Sequence, residues 1–520
     1  MAHMDELLAG LPRRISHLLW QWEERRPDAP ALVEADRRLN FAQLGQAVRA
    51  LKIVLAEAGV QPGDRVMLVN ENCLELCALI LAIADLDAWS VIVNARLSAR
   101  EIDAIRDHSG ARRLIYTAAV SKDAAAHGQR HGAETLDLPG LGSVLMGPLN
   151  ASAWAEPVDF AGADQVAALI YTSGTTGQPK GVMLTHRNVL FVGCVSGQQR
   201  GLVADDLVYG VLPISHIFGL SSVFVGTLYA GGCLMIRPRF DPAQVLADVA
   251  AGMTVLQGVP AMYAKILEYV KTNHIVLQVN RLRYMSAGGS PLDPAVKIET
   301  EAVFGLTLNN GYGQTEASPT ISQTRIDQPR SDCSVGPALP GVAVRMVGLN
   351  GQTVAQGEVG ELWCSGPGVM KGYYRNPELT AQVVTADGWL NTGDFARQDA
   401  CGNLFIVGRS KELIIRSGFN VYPAEVEAVL NGHDCVTQSA VVGRVLADGN
   451  EDVVAFVQLA PGATVTAADL CSFAAAQLAP YKRPGEVVIM SHLPAGATGK
   501  ILKNRLAEMA KAHSYQEETV

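Results

Sequence analysis

The stretch YTSGTTGQPKG, residues 171 to 181, combines hydroxyl side chains, glycines and one lysine. From Thr172 to Thr176 every side chain is either a hydroxyl-bearing group or a hydrogen atom. Such a segment exposes backbone N–H groups that can converge on an oxyanion. Lys180 adds a full positive charge to the same loop. The composition predicts a loop that binds the phosphates of a nucleotide.

Two other interpretations of this stretch fit less well. The P-loop pattern, G-x-x-x-x-G-K-[ST], requires a different glycine-to-lysine spacing, and Lys180 is followed by Gly181 rather than by serine or threonine. A flexible glycine–serine linker would not follow an apolar, strand-like run such as VAALIY. The stretch therefore predicts a phosphate loop of another class.

A second segment, NNGYGQTE at residues 309 to 316, places an aromatic ring beside glycines and then adds a hydroxyl and a carboxylate. Tyr312 could stack on a base, Thr315 could bond a phosphate and Glu316 could bind Mg²⁺. The types and order of these residues again indicate nucleotide chemistry.

Three later segments supply further charged groups: WLNTGD ends at Asp394, GRSKELII contains Arg409, and ATGKILKN contains Lys500. A carboxylate placed after a glycine turn, like Asp394, can accept hydrogen bonds from two ribose hydroxyls. Taken together and in this order, the segments resemble the signature motifs of the adenylate-forming superfamily, which includes acyl-CoA synthetases, amino-acid adenylation domains and beetle luciferases. The greatest similarity is to the AMP-forming carboxylate–CoA ligases.

The resemblance implies a two-step reaction that uses ATP, Mg²⁺ and coenzyme A. The carboxylate attacks the α-phosphate to give an acyl adenylate and pyrophosphate, and a thiol then displaces AMP. Because two anions must be held together, orientation and electrostatics dominate the catalysis. Lys500 resembles the lysine that bridges the carboxylate and the α-phosphate. The alternative is that Lys500 is a solvated surface lysine, like Lys503.

The resemblance also assigns the nucleotide contacts. They are the phosphate loop (Thr172, Ser173, Gly174, Thr175, Thr176, Gly177 and Lys180), the adenine site (Gly288, Gly311 and Tyr312), the α-phosphate (Thr315), Mg²⁺ (Glu316) and the ribose (Asp394 and Arg409).

The acyl pocket is expected, by the same analogy, at residues that are mostly small or apolar. They are His216, Phe218, Ser222, Ala287, Gly289, Gly313, Pro319 and Thr320. His216 resembles the histidine beside the acyl carboxylate, although a histidine between apolar residues is otherwise typical of a core. The set holds no Arg or Lys for a second carboxylate, and GLSSVFVG has no Asp for an α-amine, which favours an apolar monocarboxylic acid. The choice between a fatty and an aromatic acid stays open.

The thiol acceptor depends on the C-terminal region. Lys411 falls at the hinge position of the family, and rotation there would bring Ser417 and Gly418 to the site for thioester formation, with Gly418 letting pantetheine pass close to the backbone. Plant coumarate ligases and luciferases have a lysine at Ile415 and a glutamine at Asn420, so this chain departs from both. A ligase that loads a carrier-protein phosphopantetheine is an alternative, although its usual insert is not evident. A non-catalytic nucleotide-binding protein is a further one.

The remaining sequence indicates the elements that position these groups. Short apolar runs such as RVMLVN, SVIVNA and RLIYTA alternate with helical periodicity, which predicts an α/β fold with mostly parallel sheets and ligand loops at the carboxyl ends of strands. The segment DELLAGLPRRISHLLWQWEER predicts one amphipathic helix. We expect a large domain over 1–409, made of α/β sheets and a β-rich subdomain, and a small, mobile α+β domain over 410–520.

Composition excludes several classes of function. The 520 residues are 48% apolar and carry a formal net charge of −9, which argues against a nucleic-acid or membrane-surface binder. The nine dispersed cysteines suit a reducing compartment. The N-terminal segment lacks the apolar region of a signal peptide, and the run LCALILAIADLDAWSVIV contains two aspartates, as a core helix does rather than a membrane span. We expect a cytoplasmic monomer or homodimer whose partners are small molecules: a carboxylic acid, ATP and CoA.

Overall fold

The computed structural model describes residues 2–160, 162, 164–172, 179–348, 350–417, 419–446, 450–495 and 501–513. Its strands are β1 (Pro30–Glu34), β2 (Arg37–Asn40), β3 (Arg65–Asn70), β4 (Trp89–Asn94), β5 (Arg113–Tyr116), β6 (Glu134–Leu138), β7 (Gly142–Met146), β8 (Val166–Thr172), β9 (Lys180–Thr185), β10 (Leu207–Gly210), β11 (Cys233–Ile236), β12 (Val255–Gly258), β13 (Tyr284–Gly288), β14 (Leu308–Gly313), β15 (Thr320–Gln323), β16 (Ala343–Val347), β17 (Gly360–Ser365), β18 (Gly372–Tyr373), β19 (Leu390–Gln398), β20 (Leu404–Arg409), β21 (Ile414–Arg416), β22 (Phe419–Val421), β23 (Val436–Val445), β24 (Glu451–Leu459) and β25 (Glu486–Met490).

The α-helices are α1 (Ala2–Gly10), α2 (Ser16–Arg25), α3 (Phe41–Glu57), α4 (Leu74–Asp85), α5 (Ala99–Ser109), α6 (Lys122–Arg130), α7 (His186–Gln199), α8 (Gly226–Ala230), α9 (Pro242–Ala250), α10 (Pro260–Thr272), α11 (Pro294–Phe304), α12 (Pro377–Val383), α13 (Pro423–Asn431), α14 (Ala467–Gln477) and α15 (Lys503–Ala512). A π-helix spans Phe218–Val225, and short 3-10 helices span Thr315–Ala317, Ser410–Glu412 and Pro480–Lys482.

The chain divides into two compact units. The first comprises Met1–Leu292, Val296–Val344 and Cys364–Asn391, and the second comprises Asp293–Ala295, Arg345–Trp363 and Thr392–Val520. The domain boundary expected after residue 409 stays a prediction.

Two mixed sheets of eight described strands each form the first unit, in the orders β15-β14-β13-β12-β10-β11-β1-β2 and β18-β9-β8-β4-β3-β5-β7-β6. Parallel pairing dominates the middle of both sheets, as in β12–β13–β14 and β8–β4–β3–β5. The predicted α/β fold is confirmed, but mainly parallel pairing is found only in the first of these sheets. The second has four antiparallel pairs and three parallel ones among its described strands. Because the central strands of each sheet run parallel, their carboxyl ends meet at one edge of that sheet, where ligand loops lie in such folds.

The helix α4 shows why the longest apolar run forms no membrane span. Every residue from Leu74 to Ala84 is buried, and all of them except Glu75 belong to the hydrophobic core of the first unit; the chain then turns into the buried strand β4. No helix in the described part of the chain is long and apolar enough to cross a membrane. The expectation of a core helix is confirmed.

The predicted single helix near the N-terminus is wrong. The structure has two helices, α1 and α2, separated by residues 11–15. Pro12 lies in this gap and offers no backbone N–H for a helical hydrogen bond, and Gly10 ends the first helix. The apolar spacing continued through the break, so periodicity alone did not reveal it.

The second unit contains three described sheets. The four strands β16-β17-β19-β20 lie largely in this unit, β21 and β22 form a hairpin, and β23-β24-β25 form a mixed sheet. Helices α13 and α14 contribute to the core of the three-stranded sheet, as expected for an α+β unit.

Candidate active site

The predicted phosphate loop connects two antiparallel strands. β8 ends at Thr172 and β9 begins at Lys180, and these two residues are partners in the register of the pair. The loop residues between them that were assigned to the nucleotide lie outside the described residues; they are Ser173, Gly174, Thr175, Thr176 and Gly177. Their contacts with phosphate stay predictions.

A cavity of about 290 Å³ lies beside Lys180, with His108 and Tyr373 among its walls. The His108 Nδ1 atom lies 2.8 Å from the hydroxyl of Tyr171. Burial, followed by the charge of Arg375, lowers the pKa of His108. His108 is therefore neutral near pH 7, and among the described lining residues Lys180 supplies the positive charge that could bind an anion.

Glu316 lies in the 3-10 helix that follows β14, and both its side-chain carboxylate and its backbone carbonyl accept hydrogen bonds. Its Oε1 accepts a hydrogen bond of 2.7 Å from the Tyr373 hydroxyl, and its backbone carbonyl accepts one of 2.9 Å from the N–H of Met370. Burial, and next the charge of Glu316, raise the pKa of Tyr373 far above its usual value, so the phenol stays protonated and donates. The preceding Thr315 is buried.

The carboxylate of Glu316 can serve as a ligand for Mg²⁺, which the resemblance implies as a cofactor. In the described part of the chain, no cluster of three or more His, Cys, Asp or Glu side chains could hold a metal ion unaided. Mg²⁺ is commonly bound through one or two carboxylates together with substrate phosphates rather than by an all-protein cage. A half-buried carboxylate that is hydrogen-bonded by a neutral phenol, like Glu316, fits that requirement.

The residues predicted around the adenine meet at the carboxyl ends of β13 and β14. Gly288 and Gly311 are register partners in this parallel pair, and Tyr312 follows. A Cβ atom on Gly288 would lie 3.2 Å from Cε1 of Phe218 and 3.4 Å from the carbonyl oxygen of Gly311. The missing side chain lets the aromatic ring lie close to the strand end. The adenine contacts themselves stay predictions.

Several predicted acyl-pocket residues surround the π-helix that begins at Phe218. The Ser222 hydroxyl of this helix lies 3.2 Å from the Thr320 hydroxyl at the start of β15, and both side chains are buried. Thr320 also pairs with Gly313 of β14. A Cβ atom on Gly313 would lie 1.9 Å from the carbonyl oxygen of Pro319, so this close approach requires glycine.

His216 lies just before the π-helix and is exposed, so the alternative of a core histidine is wrong. The backbone N–H of Phe218 donates to Nδ1 of His216 at 3.2 Å. An accepting Nδ1 places the proton of the neutral ring on Nε2, which makes Nε2–H a donor. The two remaining pocket residues lie at the end of β13, where Ala287 is buried and Gly289 has a φ of 83°.

The segment that leads into His216 is fixed by Asn72, a residue that sequence reasoning missed. This buried amide donates to the carbonyls of Gly210 and Leu212 at 3.1 and 2.9 Å and accepts the N–H of Ile214 at 2.9 Å. Asn72 lies 142 residues before Ile214 and belongs to no recognised motif, so the sequence gave no signal of this role.

In the second unit, Asp394 and Arg409 are cross-strand partners in β19 and β20. Arg409 Nε lies 3.3 Å from Oδ1 of Asp394, whose side chain is 7% exposed. The Asp394 N–H donates to the Thr392 hydroxyl at 3.1 Å, and that hydroxyl donates to the carbonyl of Leu362 at 2.6 Å. The structure thus brings the two predicted ribose residues together.

The hinge and CoA residues are described in part. Lys411 lies in the 3-10 helix Ser410–Glu412. Ser417 has a φ of 52°, and its N–H donates to Asn450 Oδ1 at 2.6 Å. Gly418 and Lys500 lie outside the described residues. Their roles stay predictions.

The expectation that Lys503 is a solvated surface lysine is wrong. Its Nζ lies 2.7 Å from Glu412 and 2.8 Å from Glu427, and its side chain is 21% exposed. Nearby, Ala495 and Ile501 form an antiparallel bridge, so the chain pairs with itself on either side of residues 496–500.

Comparison with known proteins gives matches over most of the chain. Residues 19–374 match the sequence profile of a family described as "AMP-binding enzyme", and residues 425–500 match its C-terminal domain. A feruloyl-CoA synthase from Amycolatopsis sp is 36% identical, covering 94% of this chain and 98% of the relative. A 4-coumarate–CoA ligase 2 from Oryza sativa subsp. japonica is 32% identical, covering 92% and 89%. The crystal structure of ATP-bound MatB from Rhodopseudomonas palustris is 32% identical, with a TM-score of 0.83, covering 96% and 99%.

Proposed function

This chain belongs to the AMP-binding enzyme family and is an AMP-forming carboxylate–CoA ligase, and we propose that the acid it activates is a monocarboxylic acid that carries an aromatic ring. The observation that carries the proposal is the Phe218 ring, which lies against Gly288 at the end of β13. A flat ring can stack on Phe218 in a pocket whose predicted walls are otherwise small or apolar. The similarity to two ligases named for aromatic acids supports the choice.

In the first step, a carboxylate oxygen of the acid forms a bond to the α-phosphorus of ATP while the bond from that phosphorus to the pyrophosphate oxygen breaks. His216 donates its Nε2–H to the acid carboxylate and orients it. Lys180 attracts the departing phosphates, and Thr315 contacts the α-phosphate. Glu316 would hold Mg²⁺, which when bound neutralises phosphate charge.

In the second step, the CoA thiolate attacks the acyl carbonyl, and the bond to AMP breaks. We assign Lys500 to the adenylation step, Asp394 and Arg409 to the ribose, Lys411 to the hinge, and Ser417 with Gly418 to the passage of pantetheine. These assignments rest on the family motifs.

We also propose that the protein is cytoplasmic and acts as a monomer or homodimer. The cytoplasmic assignment is supported by its nine cysteines, all of which lie in the described residues and none of which forms a disulfide.

The experiment that tests the acid class is pyrophosphate release with Mg²⁺ and ATP, with and without CoA, on acids of matched size. Cinnamate and nonanoate have the same carbon number, and 3-cyclohexylpropanoate replaces the flat ring by a puckered one. We expect kcat/KM for cinnamate to exceed both others by about tenfold or more, since stacking and fit contribute about 1–2 kcal/mol.

Two outcomes would contradict parts of the proposal. A higher kcat/KM for nonanoate would show that a fatty acid is the substrate. A single burst of pyrophosphate that CoA does not convert into sustained release would show that the thiol acceptor is another group, such as a carrier-protein phosphopantetheine.

The Lys500→Ala variant should lose adenylation while keeping most of its ATP affinity.

A further inference from the structure

Tyr373 contacts both charged residues that were assigned to the phosphates and the metal. Its hydroxyl donates to Oε1 of Glu316 at 2.7 Å. Its ring lies beneath the ammonium group of Lys180, whose Nζ is 5.8 Å from the ring centroid. One side chain thus holds a carboxylate at its polar end and a cation over its face.

These two charges do not neutralise each other. Within the described part of the chain, Lys180 and Glu316 form no ion pair, although both contact Tyr373. An ion pair between them would compete with the binding of phosphate by the ammonium group and of Mg²⁺ by the carboxylate. Each of the two charged groups contacts Tyr373 instead.

The position of Tyr373 is determined by its surroundings before any ligand binds. It pairs with Val182 in the register of β18 and β9, and its N–H donates to the Thr380 hydroxyl at 2.9 Å. The residue is 7% exposed. A buried side chain on a paired strand has few alternative rotamers, which is the property needed to orient a ligand-binding carboxylate.

We infer that Tyr373 is a positioning residue that orients Glu316 toward the Mg²⁺ of bound Mg·ATP and keeps Lys180 available for the phosphates. The inference rests on the proposed function, in which Glu316 binds the metal. The neighbouring Tyr374 provides the contrast, since its hydroxyl donates to a different carboxylate, that of Glu156, at 2.5 Å. Phenylalanine at either position removes one hydroxyl–carboxylate hydrogen bond and keeps the ring.

The test measures how much a divalent cation tightens ATP binding. The affinity of the full-length protein for ATP is determined by isothermal titration calorimetry in EDTA and again with Mn²⁺ as the probe, and the ratio of the two Kd values is the metal-dependent gain. We expect Tyr373→Phe to lower this ratio by about tenfold, because a hydrogen bond to a charged group is lost. The Kd in EDTA should be unchanged, and Tyr374→Phe should keep the full ratio.

The variants of Glu316 separate failure of this inference from failure of the proposed function. Glu316→Gln should abolish the metal-dependent gain; if it does not, Glu316 is not the metal ligand and the proposed function is wrong at that point. If Glu316→Gln loses the gain but Tyr373→Phe keeps it, the positioning role is overturned. Glu316→Asp, which leaves Tyr373 in place and shortens the carboxylate arm, must also reduce the ratio, and retention of the full gain would overturn the inference even if the Phe variant were unfolded.

Discussion

Arg409 Nε lies 3.3 Å from Oδ1 of Asp394, and the two residues are register partners across β19 and β20. This pairing places a guanidinium and a buried carboxylate where the ribose of ATP is proposed to bind. Arg409→Gln removes the charge and leaves Asp394 in place. We expect KM for ATP to rise about tenfold with little change in KM for the acid, since one charge-assisted contact is lost.

The matched control for this variant is Arg397→Gln. Arg397 lies in the same hairpin, with its guanidinium 4.2 Å from the ring centroid of Phe405. Steady-state kinetics with ATP as the varied substrate distinguishes the two positions. An equal rise in KM for both variants would mean that the hairpin as a whole, rather than Arg409, is sensitive to loss of charge.

Replacing His216 by Phe keeps an aromatic ring at the entrance to the π-helix and removes the Nε2–H donor. We expect kcat/KM for the acid to fall about 10- to 100-fold, because a donor to the reacting carboxylate is lost. The Kd for ATP should be unchanged. Pyrophosphate release measures kcat/KM, and calorimetry measures the Kd for ATP. The control is His492→Phe, at an exposed histidine. A normal kcat/KM for His216→Phe would exclude contact with the carboxylate.

Lys503 is expected to stabilise the second unit through its two carboxylate partners. Lys503→Met leaves Glu412 and Glu427 close together without a cation, which should cost about 1–3 kcal/mol of unfolding free energy. Lys511→Met, at an exposed position of the same helix, should change the unfolding free energy by no more than about 0.5 kcal/mol. Urea unfolding followed by circular dichroism measures both.

The pH dependence of the Lys503 contribution follows from its pKa. Burial lowers the pKa of Lys503, but the charges of Glu427 and Glu412 outweigh burial, and the net shift is upward. Stability from a raised pKa is fully present below the unfolded value of about 10.4 and is lost as the pH rises through the folded value. The difference between wild type and Lys503→Met should therefore shrink above about pH 10.4; a difference that grew there would contradict the assignment.

Asp85 gives the opposite pH dependence. Its carboxylate accepts hydrogen bonds from Lys52 at 2.8 Å, Trp20 at 3.1 Å and Ser16 at 3.3 Å, which join helices α2, α3 and α4. Burial raises the pKa of Asp85, but these bonds outweigh burial and the net shift is downward. The stabilisation is present above the unfolded value of about 3.9 and is lost as the pH falls through the folded value.

Asp85→Asn should therefore lose about 1–3 kcal/mol of unfolding free energy at neutral pH, and the loss should disappear in acid. Asp107→Asn is the control, because this carboxylate is 69% exposed and pairs with Arg106 on the surface. Unfolding by urea at several pH values provides the data. A loss that persisted unchanged below about pH 3 would mean that the charge of Asp85 is not what stabilises the helices.

The sequence predicted the layered fold because hydrophobic periodicity and glycine-rich turns report local structure. The strands β3, β4 and β5 were recognised from apolar runs, and the phosphate loop was placed at the end of β8. The same local signals do not report which side chains meet across the fold. Lys503 was expected in solvent because its partners, Glu412 and Glu427, are distant in the chain.

Tyr373 shows why part of the site could not be predicted. It lies 57 residues after Glu316, and the segment KGYYRNPE offers two adjacent tyrosines. Tyr373 ends β18 and Tyr374 follows it, and their hydroxyls donate to different carboxylates, those of Glu316 and Glu156. The sequence does not say which of the two tyrosines contacts Glu316. The answer depends on the register of β18 against β9, a property of the assembled sheet.

The π-helix Phe218–Val225 makes segment length a determinant of pocket shape. A π-helical turn accommodates an extra residue relative to an α-helix, and each residue of an α-helix advances the side-chain direction by about 100°. Deleting one residue upstream of Ser222 would favour α-helical winding and turn that hydroxyl away from Thr320. Acid preference in enzymes built on this plan can therefore evolve through single-residue insertion or deletion as well as through substitution.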